Sequence, residues 1–228
     1  MPLHKIIHIN ENTTAYFWHI TEDVTSLFRA VSLRDTSLFR LEGMKSEEHQ
    51  KGFLAVRMLL QHLGYTDYDL TYDEAGKPHL EGKRQKAKGK SEPNTQHPSP
   101  ITQHISISHS HEFSCICISN ELMGIDLEKL KEKTLKIAPR FMEVKHLENL
   151  SVFEQMEKST VIWGVKESIF KIKNEKGISF PEHIFENKFC FSDGKCAAEL
   201  HFNNQIEKFN IQFYKVEDYI FVCAFPNK

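Results

Sequence analysis

The sequence predicts an α+β protein of two similar halves, with mainly antiparallel sheets and one long helix packed in each half. Two amphipathic helical segments, residues 53–64 and 161–172, lie in different halves of the chain. Each is followed, at a similar interval, by a polar turn and an apolar strand. Strand-like runs also fill the C-terminal part of the chain. We therefore expect a pseudo-twofold arrangement with an N-terminal half at 1–122 and a C-terminal half at 123–228.

The first half is expected to hold several strands and one clear helix. Residues 15–20 form an early strand, and Thr21 is expected to cap the helix that follows. Residues 46–64 form the clearest helix, because Ser46 suits an N-cap and Gly64 suits a C-terminal end. The remaining predicted elements are a strand and turn at 68–80 and strands at 104–110 and 113–119.

Residues 81–103 interrupt this pattern. They contain almost no apolar side chains and are rich in Lys, Pro, Ser and Gln, which is typical of a mobile surface insertion. The lysine-rich run at 83–90 leaves contact with nucleic acid as an alternative to a solvated loop.

The second half is expected to begin with a strand at 124–128. Helical segments around 134–142 and 157–174 follow it. The turn Ser192–Gly194 is expected to join the first two of four final strands. Those strands are predicted at 187–192, 196–202, 206–216 and 219–225.

Composition is that of an ordinary globular protein of 228 residues, with 40% apolar and 26% charged residues. A net charge of −2 gives no overall field toward nucleic acid or membrane. No apolar run is long enough to span a membrane, and no signal peptide is apparent. The five cysteines lie in apolar, strand-like runs and are expected to be buried free thiols in a reducing, cytoplasmic setting. Cys115 and Cys117 with His109 and His111 lack convincing zinc-site spacing.

Two carboxylates stand two residues apart on the strand at 124–128. Asp126 and Glu128 therefore point the same way, while Ile125 and Leu127 point into the core. Hard carboxylate oxygens suit Mg²⁺, which usually takes one or two protein acids and completes its shell with water and phosphate. Gly124 allows a close backbone approach. Read alone, the pair also fits an exposed acidic strand edge.

Glu167 and Lys171 stand four residues apart and share a helix face. Such a pair is often only a surface ion pair. Here a predicted buried stripe hems the charged face, and in that setting Lys can neutralise phosphate charge while Glu binds metal or accepts a proton. The stripe consists of Ile162, Val165, Ile169 and Ile172.

His109 stands where the alternating strand at 104–110 is expected to give way to a loop. The alternation is expected to bury Ile105 and Ile107 and to place three serines on the opposite side. An imidazole beside hydroxyl groups suits a phosphate, and capping or packing is the alternative.

These segments together resemble the 4′-phosphopantetheinyl transferases. The motifs Ser-His-Ser, Gly-x-Asp-x-Glu and Trp-x-x-Lys-Glu-x-x-x-Lys occur here in the order and at the intervals of that family, as residues 108–110, 124–128 and 163–171. Minor matches fall at 76–78, 137–141 and 176–177. The resemblance covers about residues 46–180 by motif, and its closest type is the larger one made of two fused halves.

The resemblance implies a role for each matching position. The implied metal ligands are Asp126, Glu128 and Glu167. Glu167 and Lys171 are the implied catalytic pair, the first as base and the second as a counter-charge to the pyrophosphate. The implied coenzyme A ligands are Lys51, Arg57, Lys77, Ser108, His109 and Lys166.

Three departures from the family pattern concern this site. The segment before Arg57 carries fewer arginines than is usual, Gly164 replaces the customary Ser, Thr or Cys, and the insertion at 81–103 is longer than the usual connection. Gly164 is expected to loosen its helix slightly.

The implied activity is Mg²⁺-dependent transfer of phosphopantetheine from coenzyme A to a serine of an apo acyl or peptidyl carrier protein. Mn²⁺ is an alternative metal. The expected partners are the carrier and coenzyme A, with no nucleic acid and no membrane, and the chain is expected to be a monomer. A Mg²⁺-dependent nucleotide phosphodiesterase and a non-catalytic module that binds coenzyme A or carriers remain as alternatives. The carrier, its pathway, the number of metal ions and the identity of the base stay open.

Overall fold

Two antiparallel sheets, each carrying one long helix, build the protein. The computed structural model describes residues 3–81 and 103–227. The elements before residue 122 are β1 (Leu3–Asn10), β2 (Thr13–His19), α1 (Val24–Ala30), α2 (Asp35–Glu42), α3 (Glu47–His62), β3 (Leu70–Tyr72), β4 (Pro78–Leu80), β5 (His104–Ser110) and β6 (Phe113–Ser119). The later elements are β7 (Gly124–Lys129), α4 (Glu132–Ile137), α5 (Val152–Lys173), α6 (Phe180–His183), β8 (Ile184–Glu186), β9 (Lys195–Phe202), β10 (Gln205–Val216) and β11 (Tyr219–Pro226).

The strand order confirms an α+β fold with antiparallel sheets. The first sheet has the order β1-β2-β6-β5, the second has the order β7-β11-β10-β9-β8, and β3 and β4 form a small separate hairpin. The proposed boundary between residues 122 and 123 falls between β6 and β7. The division into two domains and the twofold relation between them stay predictions.

The first half is organised around α3. Ser46 caps this helix by accepting a hydrogen bond from the backbone N–H of His49, as its position predicted, and Gly64 follows the helix in the left-handed region at φ 75°. The apolar face of α3 packs against the first sheet through buried residues such as Leu60. The helix cap predicted at Thr21 is wrong, because Asp23 accepts from the backbone N–H of Ser26 and starts α1 there.

The second half is organised around α5, which is longer than predicted. Ser151 and Glu154 form a capping box at its start, and Asn174 ends it in the left-handed conformation. All four residues of the predicted stripe are buried against the second sheet. The strand predicted at 187–192 is wrong. There the Asp193 carboxylate accepts from the backbone N–H of Cys190 and caps a short 3₁₀ turn, so that β8 lies earlier in the chain.

A third cluster of apolar side chains lies between the two sheets. It joins Phe17 of the first sheet to Phe221 of the second, with ring centroids 5.1 Å apart, and it includes Ile125 of β7. The five cysteines, all within the described residues, are free thiols. Cys190 is exposed and Cys196 is half-buried, contrary to the expectation that all five are buried.

Most of the predicted insertion, residues 82–102, lies outside the described residues. Among the helices of the described ranges, none is long and apolar enough to cross a membrane.

Candidate functional site

Two glycines bring α5 against the second sheet. A Cβ on Gly124 of β7 would lie 2.1 Å from the backbone oxygen of Ser168, so only glycine allows this approach. A Cβ on Gly164 of α5 would lie 2.4 Å from the Val222 side chain. The missing Cβ of Gly164 is what lets the helix pack closely on β11, whereas the slight loosening of the helix stays a prediction.

The close approach brings the charged face of α5 to the acids of β7. Asp126 is 4% exposed and Glu128 is half-buried, so the pair does not form an exposed acidic edge. The Lys171 ammonium donates to Asp126 Oδ1 at 2.9 Å, to the Ile125 carbonyl at 2.9 Å and to Ser108 Oγ at 3.3 Å. The two motifs that are distant in sequence thus meet at one point.

The electrostatics of this cluster show crowded negative charge. Burial, and then the charge of Asp126, raises the pKa of Glu167 to about 7. The same two causes, in the same order, raise the pKa of Glu128. Three carboxylates therefore influence one another in a partly desolvated space, where Lys171, and Lys131 near Glu128, supply opposing positive charge.

Three serines of β5, here called the hydroxyl ladder, connect β5 to β7. Ser106, Ser108 and Ser110 lie on the side of β5 opposite Ile105 and Ile107, as the alternation predicted, and all three are buried against β7. Each hydroxyl accepts a hydrogen bond from a backbone N–H of β7, and the two edge strands run in the same direction. The donors, in order, are Ile125 at 3.1 Å, Leu127 at 3.1 Å and Lys129 at 3.3 Å.

Two rungs of the ladder also hold the acids. Ser108 donates to Asp126 Oδ1 at 3.0 Å, and Ser110 donates to Glu128 Oε2 at 3.0 Å. The site therefore joins β5 of the first half to β7 and α5 of the second.

A cleft of about 430 Å³ is lined from both halves and reaches Lys171, although none of the three acids lines it. Its polar lining is mainly cationic or imidazole, and apolar side chains such as Ile105 and Phe170 complete it. Lys77 donates from Nζ to the Ile172 carbonyl at 2.7 Å, which ties the β3–β4 hairpin to the end of α5. The basic and imidazole groups are Arg40, His49, Arg57, Lys77, His109 and Lys171.

His109 continues the alternation of β5 instead of leaving it, because β5 extends to Ser110. Its ring lies 5.9 Å from that of His49 on α3, measured between ring centroids. Desolvation, and then the nearby His49 and Lys171, lowers the pKa of His109. The His109 imidazole lines the cleft, and these causes favour its neutral form.

Four of the six predicted coenzyme ligands are placed differently from Lys77 and His109. Ser108 is absent from the cleft lining, and its hydroxyl donates to Asp126 instead. The Arg57 side chain is buried, and its Nε donates to Asp67 Oδ1 at 3.0 Å, although the residue still lines the cleft. Lys51 pairs with Glu47 at 2.9 Å and is absent from the cleft lining. Lys166 points to the opposite side of α5.

The Lys166 ammonium makes its hydrogen bonds within the second half. It donates to the Ile184 carbonyl and, at 2.6 Å, to Glu186 Oε2, and the Lys166 side chain is 3% exposed. Its position gives no support to the prediction that it binds the coenzyme. The motif placed a lysine beside Glu167, but adjacent residues on a helix face different directions.

Sequence reasoning missed Arg40, His49 and Ser110. Arg40 lies on α2 with its guanidinium carbon 5.0 Å from the ring centroid of Tyr72, and it lines the cleft. No local pattern marks it, because its contacts come from chain segments far apart in sequence. Ser110 was detectable, since it continues the period-two spacing of Ser106 and Ser108.

A metal ligand set is not preformed in the part of the chain that the structure describes. Within residues 3–81 and 103–227, no group of three or more His, Cys, Asp or Glu side chains is close enough together to hold a metal ion. One carboxylate oxygen nevertheless remains available to accept a further contact. Asp126 Oδ2 is buried and has no hydrogen-bond partner among the described residues.

Comparison with curated proteins identifies the class of protein that these features resemble. The chain is 32% identical over 100 residues to the 4′-phosphopantetheinyl transferase Sfp of Bacillus subtilis strain 168, a match that covers 42% of this chain and 44% of the relative. It is 33% identical over 100 residues to a second 4′-phosphopantetheinyl transferase of Bacillus subtilis, with the same coverage. No family model matches the chain.

A transferase from another bacterium gives a similar result. The 4′-phosphopantetheinyl transferase gsp of Aneurinibacillus migulanus is 35% identical over 85 residues, which are 36% of this chain and 35% of the relative. In each comparison the chain spans less than half of the length of the relative. These similarities confirm the resemblance that the motifs predicted.

Proposed function

We propose that this chain transfers the 4′-phosphopantetheine group of coenzyme A to a serine hydroxyl of an apo carrier protein. One observation carries the proposal. Asp126 raises the pKa of both Glu128 and Glu167, and Lys171 pairs with Asp126, near a cleft rich in basic groups. Such a cleft suits an anionic phosphate ester, and the curated relatives bear the name of this activity.

The three acids have the donor chemistry that a divalent cation needs, with Mg²⁺ as the proposed metal, although they are not preformed as a ligand set among the described residues. A buried carboxylate oxygen without a partner is costly, and Asp126 Oδ2 is such an atom among the described residues. Glu128 and Glu167 have raised pKa values because they lie buried beside another acid, so a cation would relieve their repulsion. Mg²⁺ needs only one or two protein carboxylates when substrate phosphates supply further oxygens, and Mn²⁺ accepts the same ligands.

When bound, the cation would polarise the pyrophosphate and neutralise its charge. Asp126, Glu128 and Glu167 are the side chains proposed to hold it. The remaining work falls to the protein's own groups, which bind, orient and transfer a proton.

Glu167 and Lys171 have complementary proposed roles. Glu167 is proposed to take the proton of the carrier's serine, directly or through water, as a carboxylate base. The serine oxygen then bonds to the β-phosphorus of coenzyme A, and the bond from that phosphorus to the bridging oxygen breaks. The products are the phosphopantetheinylated serine and 3′,5′-ADP. The Lys171 ammonium counters the negative charge that develops on the leaving phosphate.

The cleft is proposed to hold the adenosine and phosphate parts of coenzyme A. Lys77, Ser108 and His109 remain proposed ligands, and Arg40 joins them because it lines the cleft without an ion-pair partner in the described ranges. The apolar part of the lining suits a purine ring. Arg57 contributes through its position rather than as a free cation, since Asp67 already neutralises it.

The proposal extends to the organisation of the chain. Two halves in a pseudo-twofold arrangement, divided near residue 122, would place the site at their junction. A single chain then provides every proposed ligand, so a monomer is expected to be active. A cytoplasmic location agrees with five free thiols.

Intact-protein mass spectrometry tests the proposal. Several apo carriers are incubated with the protein, coenzyme A and MgCl₂, and a gain of one phosphopantetheine is expected on at least one of them. Asp126→Ala and Glu167→Ala should abolish the gain while thermal unfolding stays cooperative. Glu199→Ala is the matched control, because Glu199 is an acid of the second sheet that pairs instead with His201.

Two other outcomes would replace the proposal. Release of 3′,5′-ADP from coenzyme A without any carrier indicates a nucleotide phosphodiesterase. Binding of coenzyme A without turnover, in the presence of all carriers, indicates a binding module.

A further inference from the structure

The three serines of the hydroxyl ladder make different contacts with the residues of β7. Ser106 accepts from the backbone of β7 but faces Gly124, which has no side chain. Ser110 accepts from the backbone in the same way and also donates its proton to Glu128 Oε2 at 3.0 Å. The same strand thus carries one serine that joins the strands and lines the cleft without holding an acid, and another that also holds an acid.

Glu128 depends on this contact more than Asp126 does. Asp126 Oδ1 receives hydrogen bonds from both Ser108 and Lys171, whereas Ser110 gives Glu128 its one hydrogen bond from the described side chains. Glu128 is also the longer side chain, with more torsions to fix. Without the hydroxyl, the carboxylate is free to swing within a half-buried space.

We propose that Ser110 is a positioning residue that fixes the Glu128 carboxylate for cation binding in the acid cluster. The inference rests on the proposed function only in that this cluster holds the metal. Groups that orient a metal ligand commonly change metal affinity by about 10–100-fold when they are removed. Ser110 is buried, so solvent does not readily replace its hydrogen bond.

Mn²⁺ binding followed by electron paramagnetic resonance, without coenzyme A, tests this inference. Ser110→Ala should weaken Mn²⁺ binding by about tenfold or more. Ser106→Ala loses an equivalent backbone acceptor and should bind Mn²⁺ as the wild type does. Ser110→Thr keeps the hydroxyl and should restore most of the affinity.

The pathway of the effect is tested in a second background. In Glu128→Ala, the further change Ser110→Ala should cause no additional loss of Mn²⁺ affinity, because the two residues then act as one unit. An equal loss in both backgrounds, or equal affinities of Ser110→Ala and Ser106→Ala, would overturn the inference. So would a wild type that binds no Mn²⁺.

The carrier assay separates this inference from the proposed function. If the wild type modifies no carrier while the Mn²⁺ pattern is as expected, the transfer activity is refuted and the role of Ser110 stands. If carriers are modified but Ser110→Ala binds Mn²⁺ normally, only the role of Ser110 is refuted.

Discussion

The buried ion pair between Lys166 and Glu186 offers a sharp test of the structure. Their side chains are 3% and 6% exposed, and Nζ lies 2.6 Å from Oε2. Burial lowers the pKa of Lys166, and Glu186 opposes that effect. Lys166→Met keeps the length of the side chain but leaves the carboxylate without its buried counter-charge. Removing one partner of such a pair costs about 3–5 kcal/mol.

Thermal and urea unfolding provide the assay. For a chain of this size each kcal/mol lowers the melting temperature by about 2–4 °C, so Lys166→Met should lower it by about 6–20 °C. Lys166→Met/Glu186→Leu removes both charges and should regain most of that loss. Lys173→Met is the control on the same helix. Its partner Glu207 is 37% exposed, so the cost should be about 0–1 kcal/mol.

One result would refute this reasoning. If Lys166→Met unfolds as the wild type does and instead raises the KM for coenzyme A, the lysine is a coenzyme ligand and its buried pairing is not the state that functions. The loss of stability with an unchanged KM supports the structure.

Three further predictions concern the site. The pKa of Glu167 is raised from 4.5 to about 7, so between these pH values the folded state binds more protons than the unfolded state. The free energy of unfolding should therefore fall as the pH rises from about 4.5 to about 7. Glu167→Gln should remove this pH dependence in urea titrations. Gly164→Ala should destabilise the protein by about 1–3 kcal/mol in the same assay, with recovery in Gly164→Ala/Val222→Ala; an undiminished stability would contradict the close packing. Arg40→Ala should raise the KM for coenzyme A about tenfold or more, because Arg40 is proposed to contact its phosphates, and an unchanged KM would remove Arg40 from the proposed ligands.

The sequence predicted the long helices and most long strands because their periodicity is strong. The stripe on α5 and the alternation in β5 and β10 each recur over several residues, and local pattern decides such elements. Short elements went wrong where a single side-chain hydrogen bond decides the outcome. Asp23 starts α1 two residues after Thr21, and Asp193 turns an apparent strand into a 3₁₀ turn.

The acid cluster was predictable because motif order and period-two spacing place Asp126 and Glu128 on one side of a strand. The partners across the junction of the halves were not. The position of Arg40 in the cleft and the direction of Lys166 depend on how distant segments pack, which no local spacing encodes. The sequence did not predict why position 164 needs a glycine, because the Val222 side chain that a Cβ there would meet lies far along the chain.

The hydroxyl ladder pairs residues of β5 with residues of β7 at a constant separation in the sequence. Ser106, Ser108 and Ser110 face Gly124, Asp126 and Glu128 rung by rung. Two of these rungs pair a hydroxyl with an acid, and the third pairs a hydroxyl with no side chain. Related proteins should therefore change residues 110 and 128 together. Residue 106 should change independently of any acid, because it faces Gly124, which has no side chain. Counting such paired exchanges in related sequences would show whether residues 110 and 128 change as a pair.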